Sequence, residues 1–301
     1  MNPITKSIIL SPVNLLYDIS PTAALKLLYR IKQKRKLDLN NPQSYSEKLQ
    51  WIKVYYKNPL LTKLVDKYTV RGYVKKKCPE ILVPLLWQGF DARDIPWKKL
   101  PEKFVIKVTH GSGFNIICTD KDKIDKEDVV AKTDKWLKSK FIKCYGEWFY
   151  GVERPRIIIE QYLENGTGDV PEDYKIMCFD GHPQYIVVDT DRYKGHKRNL
   201  YNTDWTFRSD VSLGFPNDVA IVPPSSEITS KLLKYAEELS KGFPHVRVDL
   251  YIVNNRIYFG EMTFTNGAGF DRVKPVEFDL EMGKHFILPQ RNGNNRRDKV
   301  K

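Results

Sequence analysis

Apolar residues recur along the chain with one period before residue 80 and with another after it. Ser44 followed by Glu47 has capping-box spacing and opens a helix through Leu49, Trp51, Ile52 and Tyr55. Asn58 and Pro59 start a second helix, running through Leu64, Val65 and Val70 toward Cys78 and Pro79. Ahead of both, Ile8, Ile9, Leu10, Leu15, Leu16, Leu27 and Leu28 lead into a basic run from Arg30 to Lys36. That segment reads either as an amphipathic helix lying on an anionic membrane or as a helix packed on the protein's own core with a solvated basic exit. Helical periodicity serves both equally.

Beyond residue 80, short β-rich runs take over at 81–86, 104–109 and 115–119. A charged helix is expected over 126–140, and a strongly apolar strand over 156–163. Segments 174–179 and 184–189 flank Asp180 and Gly181, a hairpin signal. After a looser stretch, 226–241 reads as a helix with Leu232, Leu233, Ala236 and Leu239 on one face. Strands 246–253 and 257–264 close the pattern, and the tail from Arg291 is polar and basic. The chain is α+β, and its second half is mostly hairpins with helices packed on them. The expected divisions are a helical region 1–80, units 81–165 and 166–290, and a tail 291–301.

The last hairpin is the most informative segment. Val246, Val248, Leu250, Ile252, Tyr258, Met262 and Phe264 should face the core, leaving Arg247, Asp249, Glu261 and Thr263 at the odd positions. A two-residue turn at Asn254 and Asn255 would put Asp249 and Glu261 on opposite faces. A three-residue loop through Arg256 sets them directly across from each other and aligns the apolar positions, so the pattern selects it. Opposed carboxylates repel, which calls for a cation between them. Mg²⁺ takes oxygen ligands of this kind together with substrate phosphates, and Arg247 beside the pair suits a phosphate oxygen. A solvated face with a cross-strand Arg–Glu pair accounts for the pattern equally.

Composition adds limits. With 41% hydrophobic and 12% aromatic residues, the 301-residue chain is globular and fits one compact enzyme of two or three subdomains. A net charge of +13 suits a nucleotide, an acidic polysaccharide, an anionic membrane or a nucleic acid, without choosing among them. Cys78, Cys118, Cys144 and Cys178 form no C-x-x-C pair, so they read as buried free thiols in a reducing, cytoplasmic setting. No apolar stretch reaches the length of a membrane span, and the 7–10 run, broken by Pro12, does not read as a signal peptide.

Lys107 sits in a strand that runs into His110, Gly111, Ser112 and Gly113, a glycine-rich turn of the kind that lets backbone N–H groups approach phosphate. It is neither a Walker A nor a G-x-G-x-x-G motif, and an ordinary hairpin turn fits it too. Glu160, Gln161, Tyr162, Leu163 and Glu164 end an apolar strand whose exit could present backbone groups and carboxylates to an adenosine. Lys175 and Arg192 place cations on the following hairpin, continued by Lys194, Lys197 and Arg198.

The order of these parts resembles the ATP-grasp fold, and specifically the TupA-like ATP-grasp family of bacterial cell-surface polysaccharide clusters. The likeness runs from about Pro42 to Leu288. It is carried by the 46–51 run, Asp66 to Tyr68, Val70 and Arg71, the 100–107 strand, the glycine-rich turn, Asp173 to Lys175, Arg247 to Tyr251, and Phe259 to Phe264. The resemblance implies two α+β subdomains clamping ATP behind a helical N-terminal region. It implies that Lys107 holds the α-phosphate and that His110 to Gly113 cover the β- and γ-phosphates. Glu160 to Leu163 would form the adenine hinge, with Glu164 or Asp169 on the ribose and Lys175 as a second phosphate lysine. Asp249 and Glu261 match the Mg²⁺ ligands, joined by Thr263, which stands where many relatives have Asn. Lys175, Arg192 and Arg247 would stabilise transition-state charge. The implied reaction is ATP-dependent coupling of an acidic sugar or glycan carboxylate to an amino acid or other amine. It would run in the cytoplasm or at the inner face of the membrane, with no nucleic-acid partner. A nucleotide-sugar glycosyltransferase is the alternative, with Asp189, Thr190 and Asp191 as its D-x-D triplet; a non-catalytic binder would leave the Asp249/Glu261 pair unexplained.

Overall fold

The computed structural model describes residues 3–164, 171–190, 195–218 and 220–291. Asp169, Asp191, Arg192, Lys194 and the tail beyond Arg291 lie outside the described residues. Five helices come first: α1 (Pro3–Ile19), α2 (Pro21–Gln33), α3 (Tyr45–Tyr55), α4 (Leu60–Leu64) and α5 (Val70–Lys77). The Ser44/Glu47 capping box forms as expected at the start of α3. The helix expected from Pro59 to Cys78 is two helices, because the Asp66 carboxylate accepts the Tyr68 and Thr69 N–H groups at 3.0 and 2.9 Å and turns the chain.

Two antiparallel sheets follow. The first has the order β1-β4-β2-β3, built from β1 (Leu85–Gly89), β2 (Phe104–Val108), β3 (Asn115–Cys118) and β4 (Ile157–Gln161). One of its faces packs on α6 (Lys126–Leu137) through Phe104, Ile106, Ile157, Ile159 and Val129. The first strand starts at Leu85 rather than near 81, since Pro79 to Ile81 form a 3-10 turn and Pro84 has no N–H to give a ladder.

The second sheet has the order β7-β6-β5-β8-β9, from β5 (Asp173–Phe179), β6 (His182–Thr190), β7 (Lys197–Asn202), β8 (His245–Val253) and β9 (Arg256–Thr263). The Asp180–Gly181 turn joins β5 to β6 with both residues at positive φ. One face, Ile176, Cys178, Ile186, Val246, Val248 and Leu250, is apolar and lies under α7 (Ser226–Ser240), α4 and α5. The other face is divided. Met177, Phe179, Tyr185, Val187 and Leu200 join α2, α3 and α8 (Val276–His285) in a second core, while the rest of that face is ionic. Every residue of β5 is therefore buried.

The β8–β9 hairpin departs from expectation in an instructive way. Its turn has two residues, with Asn254 and Asn255 at φ 50° and 60° and Val253 paired with Arg256. Alone, that turn would put Asp249 and Glu261 on opposite faces. A bulge restores them: Leu250 pairs with Phe259 but Asp249 pairs with Glu261, so Gly260 is the extra residue. A Cβ at Gly260 would stand 3.0 Å from the Asp249 carbonyl oxygen, which explains why glycine occupies the bulge.

Candidate active site

On β2 and β4, alternation and register put Val105, Lys107 and Glu160 on one face, continued on β3 by Asn115 and Ile117. These five floor a cleft of about 630 Å³ that is completed by Val83, Gln161, Tyr162, Leu163, Pro171 and, from the second sheet, Tyr251. Glu160 accepts from Lys107 Nζ at 2.7 Å and from Arg71 at 2.8 Å. The expected phosphate lysine is thus held in place by a carboxylate that a helix-borne arginine also grips.

Tyr251, Asp249 and Arg247 are successive same-face residues of β8, and they step away from this cleft at about 7 Å per pair of residues. Arg247 donates to both Asp249 oxygens at 2.6 and 2.7 Å, to Glu261 at 3.2 Å and to Thr263 Oγ1 at 3.1 Å. Lys175, directly across from Asp249, lies 2.9 Å from Asp173, 3.2 Å from Asp189 and 3.6 Å from Asp249. Burial pushes the Asp249 carboxyl up from its ordinary value despite Arg247 and Lys175. Burial also pushes Asp189 up, but the forked Arg198 contact and Lys175 outweigh it and hold that carboxyl below its ordinary value. With its oxygens so engaged and 1% of it exposed, Asp189 is a structural anion rather than the open ligand a D-x-D site needs.

Beyond Arg247 a second cavity, of about 730 Å³, is walled by Lys175, Arg198, Arg247 and Arg272, with Asp271 as its one acid among the described residues. Its rim is the turn after β9, where Gly267, Ala268 and Gly269 all have positive φ. Gln50 donates to the Gly269 carbonyl at 2.7 Å, and the fully buried Lys53 donates to that of Ala268 at 2.8 Å, so α3 fixes the strained turn. A Cβ on Gly269 would come within 2.5 Å of the Gln50 amide.

A family model of TupA-like ATP-grasp proteins matches residues 47–287, most of the chain. The chain belongs to the TupA-like ATP-grasp family. It is an ATP-dependent enzyme of the ligase type with an α+β ATP-grasp fold. Among solved structures it is similar to the D-alanine–D-alanine ligase of Bacillus anthracis (15% identity, 75% of this chain and 69% of that one, TM-score 0.43). It is also similar to the L-amino acid ligase of Bacillus licheniformis (13% identity, 84% of this chain but 55% of that one, TM-score 0.46). No curated protein matches it.

In this ATP-grasp chain Lys107, Glu160, Gln161, Tyr162 and Leu163 meet at the first cleft, and Lys175, Arg247, Asp249, Glu261 and Thr263 meet on the second sheet. Glu164 turns outward and pairs with Lys103 at 2.7 Å. His110 is buried, donating from Nε2 to the Ser139 carbonyl at 3.0 Å and packing on Phe114 and Phe141, while Ser112 and Gly113 are exposed. Asp169 and Arg192 lie outside the described residues. Sequence reasoning left four residues off the site. Arg71 and Lys67 sit in short motifs that carried the family likeness. Lys67 Nζ donates to the Gly111 carbonyl at 2.8 Å and stands 3.9 Å from Glu261, tying the glycine-rich turn to β9. Arg198 belongs to a basic run in the sequence, and the packing of β7 turns it inward, whereas Arg272 stays exposed on the cavity rim.

Asp249 and Glu261 fit a divalent cation. Their carboxylates are directly opposed in register, the neighbouring Thr263 adds a hydroxyl, and the donor set is all oxygen, as Mg²⁺ requires. Among the described residues no group of three or more His, Cys, Asp or Glu could hold a metal, so a cation at this pair would take its other ligands from phosphates and water.

Proposed function

We propose that this enzyme is an ADP-forming carboxylate–amine ligase that activates the carboxylate of an acidic sugar or glycan and couples it to an amino acid or other amine in bacterial surface-polysaccharide synthesis. The observation that carries this reading is β8, where Tyr251 faces the first cleft, Asp249 stands midway and Arg247 faces the cation-walled cavity. The cleft suits an adenosine, with Lys107 on the phosphate side. The cavity suits an anion through Arg272, which no carboxylate answers among the described residues, while Lys175, Arg198 and Arg247 on its wall are held on rigid strands by Asp173, Asp189, Asp249 and Glu261.

In the reaction a carboxylate oxygen attacks the γ-phosphorus and ADP leaves, forming an acyl phosphate. The amine then attacks the acyl carbon, and phosphate departs with the attacking oxygen. Asp249 and Glu261, with Thr263, would hold Mg²⁺, which would neutralise charge on the phosphates. Arg247 and Lys175 orient the carboxylate and stabilise the charge that develops on the transferring group, and Glu160 keeps Lys107 aimed. Positioning of this kind is the main contribution a protein makes to phosphoryl transfer. The four described cysteines are buried and unpaired, which supports a reducing, cytoplasmic setting where ATP is present.

The test is Mg²⁺-dependent ADP release with a panel of uronic acids, free and nucleotide-linked, crossed against amino acids and small amines. ADP formed only when an acid and an amine are both present supports the reading. Turnover of a nucleotide sugar with no ADP under any pairing would replace it with a glycosyltransferase.

A further inference from the structure

The ATP-grasp chemistry does not use α1 and α2, and their surfaces carry a pattern of their own. Among the described residues fourteen large hydrophobic side chains are exposed, and five of them, Ile9, Leu15, Ile19, Leu27 and Ile31, fall within these two helices. On α1 the buried Leu10 and Val13, with the half-buried Tyr17, form one stripe. Ile9, Pro12, Leu15 and Ile19, spaced three, three and four residues apart, form a second stripe on the opposite side. Ile19 is 84% exposed and Leu15 65%. On α2, Ala24, Leu25, Leu28 and Tyr29 enter the core, while Leu27 and Ile31 stay outside among exposed Lys26, Arg30 and Lys34. Both helices bury their inner stripes in the same core cluster, so the outer stripes belong to the outside of one helical hairpin. The inner stripes meet the reading of a helix packed on the protein's own core.

Charge decides the occupant. Residues 1–36 carry seven cations against one acid, Asp18; Arg35 is paired with the buried Asp279 and Lys32 lies over Tyr145 and Phe270, which leaves Lys26, Arg30, Lys34 and Lys36 exposed. Asp18 is itself paired with Lys143. We propose that the α1–α2 hairpin docks this enzyme on an anionic lipid bilayer, with Ile9, Leu15, Ile19, Leu27 and Ile31 entering the acyl boundary and Lys26, Arg30 and Lys34 meeting acidic headgroups. A second copy seated on this face would bring two cationic surfaces together. A protein partner would be expected to find aromatic anchors, but the exposed stripe is aliphatic. The hairpin also adjoins the cation-walled cavity. Arg272, on its rim, donates to the Lys32 carbonyl at 2.7 Å, and Gln33 donates to the Asp271 carbonyl at 2.8 Å. A docked hairpin therefore holds the cavity mouth near the bilayer.

The experiment is co-sedimentation of the full chain with phosphatidylcholine vesicles and with vesicles containing phosphatidylglycerol, at low and high salt. It has no dependence on ligase activity, so it stands or falls separately from the reaction. Binding to the anionic vesicles alone, weakened by salt, is expected. A Leu15→Glu, Ile19→Glu double variant should bind on the order of 100-fold less tightly, because two aliphatic insertions are lost. Val222→Glu, an exposed position elsewhere, should bind as the parent does. Both stripe positions are exposed, so melting temperature should hold in every variant. Equal sedimentation with neutral and anionic vesicles, equal loss in Val222→Glu, or no vesicle binding at all overturns the proposal. A dimer seen by ultracentrifugation and lost in the double variant, without vesicle binding, would assign the face to self-association instead.

Discussion

The two sheets each bury an ion cluster, and the clusters are built differently. On the four-stranded sheet, two cations, Lys107 and Arg71, share the single carboxylate of Glu160. On the five-stranded sheet, Lys175, Arg198 and Arg247 are matched by Asp173, Asp189, Asp249 and Glu261, with Lys67 at the margin. The first cluster has positive charge to spare and can receive a phosphate oxygen directly. In the second each cation is already answered by a carboxylate, so phosphate charge arriving there calls for an added cation. The difference supports the proposed metal position between Asp249 and Glu261, which face each other at a cost in repulsion.

The sharpest break of that comparison is at the pair itself. Asp249→Asn or Glu261→Gln should lower ADP formation by roughly a thousandfold, with far-UV circular dichroism unchanged. An unimpaired double variant would remove the metal assignment.

A smaller effect separates the clusters from the core beside them. His245 is fully buried, its Nδ1–H donating to the Cys178 carbonyl at 2.8 Å and its Nε2 accepting from the Tyr45 hydroxyl at 2.9 Å. Burial pushes its pKa down to about 3 from 6.5. Between those values the unfolded chain binds a proton that the native state does not, so stability falls as pH drops through that window. The slope is about 1.4 kcal/mol per pH unit. Denaturant titrations at pH 7 and pH 5 should show the loss, and His245→Gln should flatten it. Asp189, held below its ordinary value, adds a loss only at lower pH.

Kinetics should then divide the two cavities. Lys107→Met is expected to raise the KM for ATP by about tenfold to a hundredfold, as loss of a charged hydrogen bond does, and to leave the KM for the acid unchanged. Arg272→Ala should do the reverse. The smallest effect is Gly260→Ala, about 1 kcal/mol of stability by thermal melting, because the new methyl meets the Asp249 carbonyl.

Much of this is legible in the amino-acid sequence. The Ser44 cap, the Asp180–Gly181 turn, the α7 stripe and the facing of Asp249 and Glu261 all follow from spacing. The last was reached through the wrong turn, since a two-residue turn plus a bulge gives the same opposition as a three-residue loop and pattern alone does not separate them. β7 is not legible in the sequence because edge strands are commonly charged and only Leu200 and Tyr201 mark it as apolar. α8 was missed although Phe278, Met282 and Phe286 repeat every four residues. The Arg71–Glu160–Lys107 and Lys175–Asp189–Arg198 contacts were not readable, because they join side chains distant in sequence that only the folded chain brings together.

The central claim is that β8 carries a carboxylate from the cation-walled cavity to the nucleotide's terminal phosphate. It is tested most directly by supplying the acid identified in the ADP-release panel with ¹⁸O in its carboxylate and following the label. The account predicts one labelled oxygen in the phosphate released with each amide formed. Unlabelled phosphate alongside amide formation would mean that the carboxylate never attacks phosphorus, and would contradict it.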